Sequence, residues 1–187
     1  TTFYDTKNSG ILPYMRTFIA LVPSEQSIKD LTNLQKKIRY LARDAKTPFE
    51  KFHLTLIFCG DIDTGHVQNL AHLLMTTELV SHFSLPPKHL AFLGHDHTKR
   101  LVLEFEKTPL IDAMFMITAH EMSRVKIPLD TTRPFLPHIS LAKIKSRLKL
   151  PTGLDLPQIE FSELVLFKSI LKRLGSEFHP IVRIKLR

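Results

Sequence analysis

The stretch "FHLTLIFCG", residues 52–60, decides the fold. The side chains of a strand alternate between its two faces. Regular alternation sends His53 and Thr55 to one side and Leu54, Leu56 and Phe58 to the other. One face is then apolar, and the other offers an imidazole beside a hydroxyl. "PHISLAKIK", residues 137–145, repeats the grammar, with His138 and Ser140 on one face and Ile139 and Leu141 on the other. "HFSL" at 82–85 matches the same four-residue pattern, so the pattern alone does not decide. Context does: His53 and His138 each open an extended run after a helical one. "HFSL" runs into Pro86-Pro87, which cannot donate ladder hydrogen bonds and mark an edge or a loop. His82 is therefore read as a surface residue.

Working outward, "RTFIALVP" (16–23) is a short apolar run that reads as a strand ended by proline. Ser24 is the expected N-cap of a helix, with Glu25 in its first turn. Ile28, Leu31, Leu34, Ile38 and Leu41 follow at helical spacing. A second helix is expected around 64–80, with Val67, Leu70, Ala71 and Leu74 on one face. "HLAFLG" and "RLVLEFE" read as a hairpin joined by "GHDHTK". Thr108 and Pro109 then cap a third helix, with proline in its favoured first position. Two further strand-like runs, "IEFSELVLFKSIL" and "EFHPIVRIKL", finish the chain around a turn at Arg173–Ser176.

The order strand–helix–strand occurs twice, at matching distances. From cap to histidine the intervals are 53 − 24 = 29 and 138 − 108 = 30. From strand-opening arginine to histidine they are 53 − 16 = 37 and 138 − 100 = 38. With little residue identity, this is a structural pseudo-repeat. Two such units can pack as lobes about an approximate two-fold axis that brings His53 and His138 face to face across a cleft. No linker separates independent domains, so residues 1–187 are read as one domain of two lobes, with 1–14 a flexible N-terminal segment.

Composition narrows the function. The chain has 187 residues, 43% hydrophobic and 24% charged, ordinary proportions for a globular protein. No apolar stretch approaches the roughly 18 residues of a membrane span, and the first residues lack the layout of a signal peptide. No membrane partner is expected. Cys59 is the only cysteine, which excludes an internal disulfide and a cysteine-rich zinc site. A reducing, cytoplasmic setting follows. The net charge of +8 and pI near 9.7 favour polyanionic partners, nucleic acid first.

A histidine titrates near neutrality and serves as acid or base. A neighbouring Ser or Thr hydroxyl can donate to a phosphate oxygen. Two such pairs suit in-line phosphoryl chemistry, one imidazole deprotonating the nucleophile and the other protonating the leaving oxygen.

The paired "HLTL" and "HISL" motifs resemble the signature of the two-histidine (2H) phosphoesterase superfamily. The likeness is to its LigT-like group, the RNA 2′,3′-cyclic phosphodiesterases also called 2′-5′ RNA ligases. "RTFIALVPSE", "FHLTLIFCGDI", "HLAFLG…RLVLEF", "RPFLPHISLAK" and "ELVLFKSIL" resemble that group's blocks in the same order, over residues 16–187. The resemblance implies a bilobal α+β fold, with two antiparallel sheets flanked by helices around a central cleft. It implies opening of an RNA 2′,3′-cyclic phosphate to a 2′-phosphate without metal or cofactor, in a monomer, with reversible 2′-5′ ligation as an accompanying activity. On it, His53 protonates the departing O3′, His138 activates water, and Thr55 and Ser140 hold the phosphate oxygens. The group often has arginine where this chain has Lys143; lysine keeps the charge without the bidentate fork. Rival readings are a 2′-5′ oligoadenylate phosphodiesterase or 3′ RNA exonuclease of the same superfamily, and a non-catalytic basic RNA-binding module.

Other features have plainer readings. His95-x-His97 is a hairpin turn, since no further ligand cluster completes a metal site. Cys59 falls on the parity of His53 and Thr55 but reads as a small packing residue. Lys143, Lys145, Arg147 and Lys149 form a period-two cationic run, divided between solvated edge and RNA contact. Phe92 and Phe135 are read as core residues ahead of base-stacking ones.

Overall fold

The computed structural model describes residues 13–41, 52–78, 83–94, 99–130, 132, 134–144, 149–150, 152–172 and 175–186. The chain runs β1 (Tyr14–Pro23), α1 (Glu25–Leu41), β2 (Leu54–Asp63), α2 (Thr64–Thr76), β3 (Phe83–Leu85), β4 (Pro87–Leu93), β5 (Arg100–Phe105), α3 (Pro109–Arg124), β6 (His138–Lys143), β7 (Ile159–Lys172) and β8 (Gly175–Lys185).

The helices begin where the capping residues stand. The Ser24 hydroxyl accepts from the Ser27 N–H at 3.3 Å. Asp63 caps α2 by accepting from the His66 N–H at 3.0 Å. Thr108 accepts from the Ile111 N–H at 3.4 Å, with Pro109 opening α3. Of the helical positions expected to face inward, Leu31, Leu34 and Ile38 are buried, whereas Ile28 is 38% exposed. The second helix stops at Thr76, short of residue 80; the Thr77 hydroxyl bonds back to the Leu73 carbonyl and closes the last turn.

All the strand pairings are antiparallel, in the order β3-β7-β1-β2-β6-β5-β4, with β8 also on β7. Lobe one is β3/β8-β7-β1-β2; lobe two is β6-β5-β4. The expected α+β arrangement is present, but in place of two sheets the strands join in one eight-stranded antiparallel sheet, whose two halves meet at one registered pair, Leu54↔Ile139. These residues follow the two motif histidines, and 139 − 54 = 85 is also 138 − 53. The pair therefore joins equivalent positions of the two motifs.

One continuous apolar cluster lies under both lobes, with Leu54, Leu103 and Ile139 from the sheet and Leu31, Leu70 and Met114 from the helices. A smaller cluster on the opposite face gathers Phe18, Ala20, Val165 and Phe167, with Val22 and Phe178 packed against it. "HFSL" supplies β3, a three-residue strand at the sheet's end, as its prolines predict. No helix among the described residues is long and apolar enough to cross a membrane. His82, His95, His97, Lys145, Arg147 and residues 1–12 of the proposed N-terminal segment lie outside the described residues, while Tyr14 already belongs to β1.

Candidate active site

Regular alternation fails in both motif strands, at equivalent places. Ile19 pairs with Ile57 and Ala20 with Thr55, so Leu56 is an extra residue. Leu101 pairs with Ala142 and Val102 with Ser140, so Leu141 is an extra residue. The two bulges are 141 − 56 = 85 residues apart, the interval of the histidines. A bulge spends two residues on one face. Leu56 and Ile57 are both buried at 4%, and Leu141 and Ala142 likewise at 0% and 4%.

The fifth residue after each histidine thereby turns to the cleft face. In lobe one that residue is Phe58, which is 64% exposed and lines the cleft, against the expectation that it faces the core. In lobe two it is Lys143, exposed and register-paired with Arg100. A second register shift, at Cys59, precedes Gly60, whose φ of +76° is the left-handed conformation glycine adopts readily. Cys59 leaves the histidine parity for the core, near Met122 Sδ at 4.0 Å. Burial pushes its thiol up to about 12. Its reading as a packing residue holds; its expected face does not.

The bulge in β6 has an internal support. Gln35 of α1 donates from Nε2 to the Leu141 carbonyl at 2.7 Å, and Gln35 is 3% exposed. A buried carbonyl displaced from its ladder partner needs such a donor.

The structure brings four expected residues into one cleft of about 310 Å³: His53, Thr55, His138 and Ser140. The antiparallel register about Leu54↔Ile139 sets position 53 across from 140, and 55 across from 138. Each imidazole thus stands near the other motif's hydroxyl. All four residues are half-buried.

The histidines' surroundings differ. His138 donates from Nδ1 to the Leu136 carbonyl at 2.8 Å. A proton held there leaves Nε2 of the neutral ring as the acceptor. His53 is ringed by Phe18, Phe167 and Phe178, at centroid distances of 5.2, 6.1 and 5.1 Å. The β7–β8 hairpin extends this wall with Ser169, Leu171 and Ser176.

Arg16 and Arg100 also line the cleft, and no carboxylate is among its described lining residues. Lys143, the cation expected on the phosphate, is not a lining residue; its cross-strand partner Arg100 is. The sequence held a signal for both arginines, since each opens its strand at nearly the same distance before its histidine. Phe58 and Phe178 had no such signal. Phe92 and Phe135 lie away from the cleft. Phe92 packs against the core with Lys99 Nζ over its ring at 4.9 Å, and Phe135 stacks on Phe115 at 4.8 Å. Among the described residues no three His, Cys, Asp or Glu side chains gather to hold a metal ion.

The fold is LigT-like, and the two H-x-[ST] motifs meet in its cleft. No protein-family model matches the chain. It is similar to the RNA 2′,3′-cyclic phosphodiesterase of Thermotoga maritima, 27% identical over 153 residues, 78% of this chain and 81% of that protein. The crystal structure of TT0787 of Thermus thermophilus superposes with a TM-score of 0.72 at 25% identity, covering 92% of this chain and 98% of that one. E. coli LigT complexed with phosphate shares the fold, with a TM-score of 0.68 at 18% identity over 93% and 98% of the two chains. The likeness first suggested by "HLTL" and "HISL" holds in sequence and in fold.

Proposed function

We propose that the protein is a metal-independent RNA 2′,3′-cyclic phosphodiesterase that opens the ring to a 2′-phosphate. The observation that carries this reading is the meeting of both H-x-[ST] motifs in one cleft with no carboxylate among its described lining residues. A cyclic phosphate diester is an anion, and carboxylates would repel it.

In the proposed reaction the phosphate lies on the pseudo-two-fold axis, with the Thr55 and Ser140 hydroxyls donating to its non-bridging oxygens. His138 Nε2 takes a proton from water as the water oxygen bonds to phosphorus. The P–O3′ bond breaks, and His53 gives its proton to O3′. The products are a free 3′-hydroxyl and a 2′-phosphate. The Leu136 contact supports the base role by keeping Nδ1 protonated. The aromatic wall supports the acid role, because ring faces attract an imidazolium. Phe58 offers a surface on which a base can stack. The name of the Thermotoga maritima relative, and the titles of LigT complexes with phosphate and 3′-AMP, agree with a nucleotide substrate.

The test is an RNA ending in 2′,3′-cyclic phosphate, incubated with EDTA, with the product's phosphate located by phosphorus NMR. A 2′-phosphate is expected. A 3′-phosphate, or loss of activity on chelation, overturns the mechanism. Turnover of a 2′-5′-linked trimer in preference to the cyclic end favours the oligoadenylate reading.

A further inference from the structure

The two ends of the cleft carry different charge. Arg16 and Arg100 open β1 and β5, the strands flanking the two motif strands, and both line the cleft. Directly paired residues in an antiparallel ladder project to the same face, with Cβ atoms about 5 Å apart. Arg16 is paired in register with Asp61, which puts one carboxylate on the same face, although no ion pair within 4 Å joins them among the described residues. Arg100 is paired with Lys143, so a second cation adds to it. The Leu141 bulge sets Lys143 on the same side of the sheet as Arg100, next to the cleft though not among its lining residues. Glu104, the acid on that face of β5, is 8% exposed and turned to His89, with 3.4 Å between Oε2 and Nε2. Neither Arg100 nor Lys143 has a carboxylate within 4 Å among the described residues.

We propose that Arg100 and Lys143 form a second phosphate subsite, which holds the phosphodiester on the 5′ side of the terminal nucleotide. The proposal rests on the phosphodiesterase reading and deepens it, making the preferred substrate an oligonucleotide end. With the reacting phosphate at the histidines and the base toward Phe58, the chain leaves by the end where two cations stand. The other end sets one cation, Arg16, and one anion, Asp61, at paired positions, where this end has two cations.

The test compares a 2′,3′-cyclic mononucleotide with a dinucleotide bearing the same cyclic end. For the native protein, kcat/KM for the dinucleotide is expected to be 10- to 100-fold higher, mostly through KM. Its salt dependence should be steeper by about 0.7 per added phosphate contact. The double variant Arg100→Ala/Lys143→Ala should bring the ratio near 1 and flatten the slope, and Arg100→Lys should restore part of it. Arg16→Ala should keep the ratio. Equal kcat/KM for both substrates in the native protein overturns the subsite while leaving the phosphodiesterase reading intact. So does a ratio that survives the double variant or collapses in Arg16→Ala. Should neither substrate turn over, the phosphodiesterase reading fails. The subsite is then tested by the Kd values of the 2′-phosphate mono- and dinucleotides, and equal values overturn it.

Discussion

The two motif strands share a backbone plan and differ in what surrounds it. β2 and β6 each place a histidine, a hydroxyl two residues on, a bulge at the next residue and a cleft-facing side chain two residues beyond the bulge. In lobe one the result is an imidazole among phenyl rings with Phe58 beyond. In lobe two it is an imidazole tethered to Leu136, with Lys143 beside Arg100. In the proposed reaction the two imidazoles act on one phosphate, one giving a proton while the other takes it, and their different neighbours are what would distinguish them.

The largest expected effect tests this difference directly. His53→Ala and His138→Ala should each lower kcat by about 10²–10⁴, the scale for a positioned acid or base. The double variant should lose less than the product, because the pair acts as a unit. With a nitrophenolate ester, whose leaving group needs no proton, His53→Ala should be largely rescued and His138→Ala should not. The opposite rescue would exchange the two roles. The rate of the native protein should fall on both sides of a pH optimum, with two macroscopic pKa values belonging to the pair.

Thr55→Ala and Ser140→Ala come next, at about 10- to 10³-fold in kcat. Because each hydroxyl stands across from the other motif's histidine, comparable losses are expected. A loss confined to one of them would show that the phosphate sits off the axis.

The bulges can be tested through Cys59, the counterpart of Ile144 (144 − 59 = 85), both of which are buried in the core. The thiol titrates near 9 in its ordinary state and near 12 in the fold. Between those values the unfolded chain loses the thiol proton and the folded chain keeps it. Stability should therefore fall as pH rises from about 9 toward 12, by up to about 1.4 kcal/mol per unit from this group. Urea melts of the native protein and Cys59→Ala should differ by that slope. Identical slopes would return Cys59 to the cleft parity.

The smallest effect concerns the support of one bulge. Gln35→Leu leaves the Leu141 carbonyl without its donor, at a cost of about 1–3 kcal/mol. The expected result is a lower Tm and a higher KM for oligonucleotides, with kcat moved less. Unchanged KM would show that the β6 bulge holds its shape without α1.

Much of this protein is determined by local sequence. Ser24 and Thr108 can be read as caps because a cap needs only its own helix turn. Helical spacing marks α1, and apolar strand-like runs mark β1 and β7, for the same reason. The paired histidines were legible because equal chain intervals imply equivalent positions in a pseudo-repeat. The faces of Phe58, Cys59 and Lys143 were not legible, because a bulge belongs to two strands. The extra residue exists only relative to the register of β1 or β5, and period-two alternation presumes there is none. Likewise, Phe18, Phe167 and Phe178 are far apart in the chain and surround His53 only because β7 pairs with β1, and β8 with β7. The sequence singled out the two H-x-[ST] motifs that meet in one cleft. The tertiary structure decided which neighbours make one imidazole unlike the other, because only strand pairing sets what stands beside each ring.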